Sequence, residues 1–280
     1  MAQPDPIAII EQLDLTPTGR PQPLSGGDIG ELWRVDTNQG SVVVKHATAY
    51  AIQAEADGLQ ALRDAGTDLI VPELLGVFDD VLVMEYLAPA RGTARSATRL
   101  GEGLRQLHAN TADEHGWSVD NAAGNTRQVN TRHADGRVFQ RECRLLPLGR
   151  ACRDQGGLDR AGFERLERLA HGLEAWLPDV PASLLHGDLW LGNVHFCERG
   201  PALIDPAVYR HYPDVDLAAL ELFGAPPEET FEAYWDGAAP DDWPLRRTLF
   251  QLYPLLNHLL MFGGGYRGAV ERAIDQVLQG

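Results

Sequence analysis

Two acidic motifs, separated by a short stretch of chain, constrain this sequence more than any other feature. The first, HGDLWLGN, spans residues 186–193 and places Asp188 five residues before Asn193; the second, LIDP, brings Asp205 twelve residues after Asn193. A carboxylate can orient a hydroxyl nucleophile and accept its proton, and amide and carboxylate oxygens are ligands suited to Mg²⁺. Each motif alone could be a turn, since Asp before Pro often starts one. Together they predict Asp188 as a catalytic base and Asn193 and Asp205 as metal ligands.

A lysine and a glutamate upstream form a second predicted pair. The apolar run VVV ends in Lys45, and Glu55 follows ten residues later in a predicted helix over residues 51–65, which Gly66 ends. A lysine at a strand end can contact nucleotide phosphates, and a helix carboxylate can hold it by an ion pair. A solvated lysine and a surface glutamate are the plain alternatives for the two residues taken singly.

Two further segments extend the pattern. Gly26 and Gly27 lie in a turn that could cover phosphates, although it lacks the Gly-Lys-Ser/Thr of a Walker loop. An apolar strand ends in Glu85, Tyr86 and Leu87, whose backbone we expect to bind adenine. Alone, these are an ordinary turn and a core strand. The chain order of all six features is the order that kinase mechanics require, and so it predicts an ATP- and Mg²⁺-dependent phosphotransferase.

Composition excludes several other classes of function. The chain has 40 acidic and 24 basic residues and a net charge of -16, which disfavours nonspecific binding to nucleic acid or to an anionic membrane. Its three cysteines (Cys143, Cys152 and Cys197) are irregularly spaced and indicate neither a disulfide framework nor a zinc site. Because no leader or long apolar segment is evident, we expect a cytoplasmic protein.

The distribution of patterns along the 280 residues predicts an α+β fold with two lobes. Residues 1–87 are expected to form a nucleotide-binding lobe with a small antiparallel sheet and one main helix. Residues 88–280 are expected to form a larger, mainly helical lobe for catalysis and substrate binding. Within it, leucines at helical spacing predict helices, including one that runs through Leu173 and Leu177, and residues 110–137 predict a long loop region.

The motifs resemble those of the fructosamine kinase (ketosamine-3-kinase) family, part of the aminoglycoside and choline kinase-like group with a protein-kinase-like fold. The resemblance covers nearly the whole chain. It is carried by segments that include PLSGGDIGELWRV, EADGLQALRDAG, HGDLWLGN and LYPLLNHLLMFGGGY. It implies phosphorylation of a sugar hydroxyl on a fructosamine or ribulosamine, with ATP as donor and a small-molecule or glycated amine as acceptor.

The same resemblance indicates where an acceptor would bind. Trp190 is expected to form an apolar wall against the sugar or its amine, or else to pack the catalytic loop. Asn125, Gln128 and Asn130, in the segment GNTRQVN, could bind sugar hydroxyls or could belong to a polar surface loop.

The sequence departs from the family pattern on this acceptor side. Arg127 stands where the family usually has Pro, Arg132 and Gly136 stand where aromatic residues are common, and YRHY follows IDPAV in place of the usual Tyr-Tyr-Gly-His. Arg127, Arg132 and Arg210 raise the possibility of an acceptor with a carboxylate. A kinase for an aminoglycoside, choline or a sugar remains an alternative, and a nucleotide-binding pseudokinase is a second one that the intact catalytic set disfavours.

Overall fold

The computed structural model describes residues 4–24, 30–124 and 126–280 and has the two-lobed architecture that the sequence predicts. A five-stranded antiparallel sheet with strand order β1-β2-β3-β5-β4 dominates the N-terminal lobe. The strands are β1 (Gln22–Pro23), β2 (Glu31–Thr37), β3 (Gly40–His46), β4 (Leu74–Val77) and β5 (Val81–Glu85). Central strand β3 pairs with β2 on one side and with β5 on the other, so Lys45 lies opposite Leu32 and Leu82.

Alternation along β3 explains why Lys45 faces the cleft. Val42 and Val44 pack on one face of the sheet against Ile10 of helix α1 (Pro6–Glu11). Val43 lies on the other face, in a cluster with residues of helix α2 (Ala49–Asp64). Because successive strand side chains point to opposite faces, Lys45 shares the face of Val43. The predicted helix over 51–65 corresponds to α2, and Gly66 follows it with φ of 65°.

The C-terminal lobe consists mainly of helices around one large apolar core. Its helices are α3 (Ala94–His108), α4 (Gly136–Phe139), α5 (Leu146–Asp154), α6 (Arg160–His171), α7 (Asp214–Leu222), α8 (Glu228–Trp235), α9 (Trp243–Phe262) and α10 (Arg267–Gln279). A π-helical segment, Gln140–Leu145, joins α4 to α5, and short 3₁₀ turns lie at Leu173–Ala175, Leu191–Asn193 and Gly264–Tyr266.

Seven short strands in the described part of this lobe flank the loops that carry the two acidic motifs. They are β6 (Thr111–Ala112), β7 (Asn121–Ala123), β8 (Thr126–Gln128), β9 (Ala182–Leu185), β10 (Val194–Cys197), β11 (Gly200–Leu203) and β12 (Tyr209–His211). Strands β12, β9 and β6 form one sheet, while β7–β8 and β10–β11 are hairpins. The sheet and the β10–β11 hairpin together flank the loops that carry Asp188 and Asp205.

Two local expectations differ from the structure. Residues 110–137 contain strands β6 to β8 rather than only loop, because buried polar side chains and interstrand bonds organise this polar segment. Helix α6 ends at His171, before Gly172, so Leu173 and Leu177 reach the core from outside the helix. Between the lobes, β5 ends at Glu85 and α3 begins at Ala94, so the lobe boundary after residue 87 stays a prediction.

Within the described ranges, no helix combines the length and apolar character needed to cross a bilayer.

Candidate active site

A cavity of about 720 Å³ lies between the lobes and brings the sequence-predicted residues together. The N-terminal lobe contributes an apolar part of the cavity wall, which includes Leu32, Val43 and Met84. The other predicted residues that line the cavity come from both lobes and are mostly charged or polar: Lys45, Glu55, Glu85, Tyr86, Leu87, Asp188, Trp190, Asn193 and Asp205. An apolar cavity with a few convergent polar groups is the usual form of a small-molecule site.

Lys45 lies between two carboxylates at the back of this cavity. Its Nζ is 2.7 Å from Oε2 of Glu55 and 2.6 Å from Oδ1 of Asp205. The sequence predicted the Lys45–Glu55 pair, and the second contact joins residues 160 positions apart. One ammonium group is therefore held by a carboxylate from each lobe.

Burial and charge act in opposite directions on these three groups. Burial lowers the pKa of Lys45, but the adjacent Glu55 and Asp205 outweigh it and raise that pKa above its usual value. Burial raises the pKa of Glu55 to about 7, against the opposing effect of Lys45. Burial also acts to raise the pKa of Asp205, but the closeness of Lys45 outweighs it and leaves that pKa lowered. Asp205 therefore remains an anionic oxygen donor, and 30% of its side-chain surface is exposed.

The loop that carries Asp188 has a conformation that only glycine permits. Gly187, the residue after His186, has φ of 84°, and a Cβ there would lie 2.0 Å from the carbonyl oxygen of Ala207. Any other residue would meet both backbone strain and a steric clash. The HGD sequence thus turns sharply after β9 and brings Asp188 into the cavity wall.

Asp216, in α7, fixes this loop and was not identified from the sequence. Its carboxylate accepts hydrogen bonds from the backbone N–H groups of His186 at 2.7 Å and Gly187 at 2.9 Å. Nε2 of His108 lies 3.2 Å from the same carboxylate. Burial acts to raise the pKa of Asp216, but these hydrogen bonds, led by that of His108, lower it overall. The sequence offered one signal for this residue: Asp216 is an acidic residue within the largely apolar segment DVDLAALEL.

The two acidic motifs are also joined directly. Nε2 of His186 lies 2.9 Å from the carbonyl oxygen of Ile204, which precedes Asp205. Nδ2 of Asn193 donates to the backbone oxygen of Asp188 at 2.8 Å, and the backbone N–H of Ile204 donates to the Asn193 carbonyl at 3.1 Å. Asp205 itself has φ of 52°, in the left-handed region. These bonds join the loop of Asp188 and the IDP segment into one unit.

The predicted adenine-binding strand end lines the cavity, with its side chains engaged elsewhere. Glu85 forms an ion pair with Arg199 at 2.7 Å, and the Tyr86 ring lies under the guanidinium of Arg34. The carbonyl of Leu87 accepts a hydrogen bond of 2.9 Å from Nε2 of His195, a cavity residue that the sequence did not single out. Contact of this segment with adenine stays a prediction.

Of the predicted acceptor residues, Trp190 faces the cleft and is 40% exposed. Its ring lies against Gly192, where a Cβ would come within 2.2 Å of the indole. Gln128 and Asn130 are buried instead, and both side-chain oxygens accept hydrogen bonds from Arg144, at 3.4 Å and 2.7 Å. In this structure these two residues connect the β7–β8 segment to the buried Arg144. Their direct contact with a sugar stays a prediction.

The other departures from the family pattern also have positions. Gly136 packs against His115, where a Cβ would lie 2.5 Å from the imidazole, so a larger residue would require neighbouring side chains to shift. Arg127 pairs with Asp120, Arg132 lies 3.7 Å from Glu114, and Arg210 donates to Asn110. None of these three arginines lines the described part of the cleft, which does not favour a carboxylate site built from them. Predicted residues Gly26, Gly27 and Asn125 lie outside the described residues.

Comparison with known proteins agrees with this geometry. The sequence model of the fructosamine kinase family matches residues 8–280. A protein named as a probable ketoamine kinase from Thermus thermophilus is 35% identical over 97% of this chain and 99% of its own length. One from Escherichia coli K12 is 30% identical over 91% of each chain.

Solved structures show the same relationship. A Thermobifida fusca crystal structure, assigned by name to fructosamine-3-kinase, superposes with a TM-score of 0.89 at 29% identity, covering 99% of this chain and 100% of the other. The gentamicin complex of the phosphotransferase APH(2")-IIa superposes with a TM-score of 0.64 at 18% identity, covering 100% and 98%, which shows a shared fold. With a kinase-like cleft, a family match over nearly its whole length and relatives aligned end to end, this chain belongs to the fructosamine kinase family of phosphotransferases.

Proposed function

We propose that this protein transfers the γ-phosphoryl group of ATP to a sugar hydroxyl of a ketosamine of the fructosamine or ribulosamine type. The observation that carries the proposal is the arrangement of Lys45, Glu55 and Asp205 opposite Asp188 in one cleft, with Trp190 beside them. Relatives named as ketoamine kinases and fructosamine-3-kinases supply the acceptor class.

The donor side of the proposal rests on charge. Lys45 would contact the nucleotide phosphates, and Glu55 keeps its ammonium group in place. Glu85, Tyr86 and Leu87 would present backbone groups to adenine. Phosphoryl transfer depends mainly on positioning and on neutralising charge, and a lysine fixed by two carboxylates is suited to both tasks.

The oxygen donors near Lys45 fit a divalent cation. Asn193 and Asp205 line the cavity and offer one amide and one carboxylate oxygen, and Mg²⁺ is usually held by one or two carboxylates together with substrate phosphates and water. No cluster of three or more His, Cys, Asp or Glu in the described ranges could hold a metal alone, so the remaining ligands would come from the nucleotide and water. When bound, Mg²⁺ supplies neutralisation of the phosphate charge.

On the acceptor side, Asp188 would orient the sugar hydroxyl and accept its proton as the new P–O bond forms. The backbone of the loop that carries Asp188 is fixed by Asp216 and by the glycine turn at Gly187, so the position of the loop does not depend on the substrate. Trp190 would provide an apolar wall for the face of the sugar and its cationic amine.

A mass-based transfer assay tests the proposal. The native protein, ATP and Mg²⁺ are incubated with fructosyl-lysine, ribulosyl-lysine, an aminoglycoside and choline in separate reactions. We expect a product heavier by one phosphoryl group with at least one ketosamine, together with an equal amount of ADP. Transfer to the aminoglycoside or to choline, with none to a ketosamine, would replace the acceptor class. If none of these four acceptors received a phosphoryl group, the result would contradict the kinase assignment.

A further inference from the structure

One hydrogen bond joins the helix of Glu55 to the acceptor side of the C-terminal lobe. Nε1 of Trp117 donates to Oδ2 of Asp57 at 2.6 Å. Asp57 lies two residues after Glu55 on α2, and Trp117 begins the stretch that leads into the β7–β8 hairpin. The contact therefore connects the element that positions Lys45 with the segment that borders the acceptor.

Trp117 is itself held firmly by the C-terminal lobe. Its backbone N–H donates to the carbonyl of Asn130 at 3.0 Å. The preceding residue, Gly116, exchanges two backbone hydrogen bonds with Arg210, at 2.8 Å and 2.9 Å. The Trp117 side chain packs against both large apolar clusters of the molecule. Trp117 is therefore fixed to the C-terminal lobe, and its indole N–H gives Asp57 of α2 a contact with that lobe.

A second contact region joins α2 to the chain that follows Asp205. A Cβ on Gly58 would lie 3.0 Å from Pro206 and 3.2 Å from Val208, so helix and segment approach closely. The carbonyl of Val208 accepts a hydrogen bond of 2.8 Å from Nδ2 of Asn121 in β7. Helix α2, the IDP strand end and the β7–β8 hairpin thus form one connected unit.

We propose that Trp117 is a positioning residue through which the acceptor side controls the Lys45–Glu55 pair. Residues 116–124 and 126–130, called here the acceptor-side segment, include Ala122 and Gly124 of the cleft wall. An acceptor that contacts this wall restrains the segment, and the Trp117–Asp57 bond passes the restraint to α2. Binding of the acceptor then strengthens binding of the nucleotide, and linkage requires the reverse effect of equal size. This inference rests on the proposed function for the identity of the acceptor.

The experiment measures the coupling between the two ligands. The dissociation constant of a non-hydrolysable ATP analogue with Mg²⁺ is determined with and without saturating fructosyl-lysine or ribulosyl-lysine. In the native protein we expect the acceptor to tighten nucleotide binding about 5- to 10-fold, at the lower end of typical coupling. In W117F, which keeps an aromatic ring but has no N–H donor, and in D57A, we expect less than about 2-fold coupling.

Matched variants separate coupling from general damage. D57N keeps an oxygen that can accept the indole N–H, so it should retain most of the coupling. D64A removes an exposed carboxylate from the same helix, away from Trp117, and should behave like the native protein. Nucleotide affinity without acceptor should change less than about 2-fold in all variants, since the Lys45–Glu55 ion pair itself is intact. Absence of coupling in the native protein, native coupling in W117F, or equal loss in D64A would overturn the inference.

Hydrogen exchange provides an arm that needs no acceptor. Amides of α2 should exchange faster in W117F and D57A than in D64A when the Mg²⁺–nucleotide analogue is bound, and unchanged exchange in W117F would overturn the inference. If the native protein phosphorylates no ketosamine, the proposed function fails by itself. The coupling is then measured with whichever alcohol the transfer assay identifies, so the two failures remain distinct.

Discussion

The nucleotide side and the acceptor side of the cleft are built on different principles. On the nucleotide side, Lys45, Glu55 and Asp205 are charged residues that meet at distances of 2.6 and 2.7 Å and line the cavity themselves. On the acceptor side, Gln128 and Asn130 are buried behind the surface. The comparison indicates that charged groups line the proposed nucleotide side directly, whereas on the proposed acceptor side polar groups lie beneath the surface.

Arg144 is the centre of the support on the acceptor side. Its guanidinium donates to the carbonyl of Val129 at 2.7 Å and to Oδ1 of Asn130 at 2.7 Å. The same group lies 4.0 Å from the ring centroid of Tyr209 and 4.6 Å from that of Phe139. A buried cation stacked on aromatic rings and bonded to oxygens gives the hairpin a fixed shape.

The largest expected effect is on turnover and comes from substitution of Asp188, where the proposed nucleotide and acceptor sides meet. Asp188→Asn keeps the shape of the side chain but cannot accept the proton of the hydroxyl. We expect kcat to fall by about two to four orders of magnitude, the usual contribution of a general base, while nucleotide affinity stays close to native. Steady-state kinetics and calorimetric titration of the ATP analogue measure the two quantities. Near-native turnover in this variant would remove Asp188 from the mechanism.

The next effect tests whether charge governs the nucleotide side. Lys45→Ala should lower kcat about 100- to 1,000-fold, the range seen when one preorganised donor to developing charge is lost. Glu55→Gln should cost less, because the lysine remains near Asp205. The double variant should resemble Lys45→Ala, since the pair acts as a unit. Strictly additive effects on kcat would contradict that interpretation.

A smaller effect, on stability and on the acceptor, should follow from Arg144→Met. Methionine can fill much of the space but donates no hydrogen bond, so the part-buried Val129 carbonyl and the buried Asn130 Oδ1 lose a donor. Each loss costs about 1–3 kcal/mol. We expect the melting temperature to fall below that of the native protein. We also expect the KM for the acceptor to increase more than the KM for ATP.

Arg127→Met is the control for this prediction. Arg127 pairs with Asp120 on the surface, with 74% of its side chain exposed, and an exposed ion pair contributes little to stability. The control should melt close to the native temperature. If Arg144→Met were equally stable, the acceptor side would not depend on its buried support.

The smallest effect concerns pH and the buried histidines near Arg144. Nδ1 of His115 lies 2.9 Å from Nδ1 of His211. Burial, with His115 and Arg144 nearby, holds the pKa of His211 well below its ordinary value, and burial also lowers the pKa of His115. Below about pH 6.5 an unfolded histidine binds a proton, whereas burial opposes protonation of these two side chains in the native state. Lowering the pH should therefore lower the free energy of unfolding, by at most about 1.4 kcal/mol per pH unit for each group.

Chemical denaturation at several pH values between 7 and 5 measures this slope. His211→Gln should reduce it, because the variant loses one of the two groups that the unfolded chain protonates in preference. The exposed His171→Gln, at the end of α6, should leave the slope unchanged. An unchanged slope in His211→Gln would show that the acid sensitivity of the protein arises elsewhere.

Much of the nucleotide side was predictable because its signals are local. A VVVK strand, a helix that Gly66 ends and an HGD turn are each set by a few consecutive residues, and their bounds agree with β3, α2 and the loop after β9. Strand alternation alone predicts that Lys45 shares a face with Val43. The chain order of these signals then predicted a kinase-like fold, and the resemblance of the motifs to those of a known family indicated the family.

Tertiary structure decided the parts that depend on distant residues. Asp216 accepts from a loop 30 positions away, Trp117 donates to Asp57 60 positions away, and Arg144 fixes Asn130 from another element. The sequence of residues 110–137 resembled a polar loop because composition does not reveal which polar groups will be buried and paired. Hydrogen-bond partners of buried groups are chosen by the packing of whole elements, and only the folded arrangement brings those elements together.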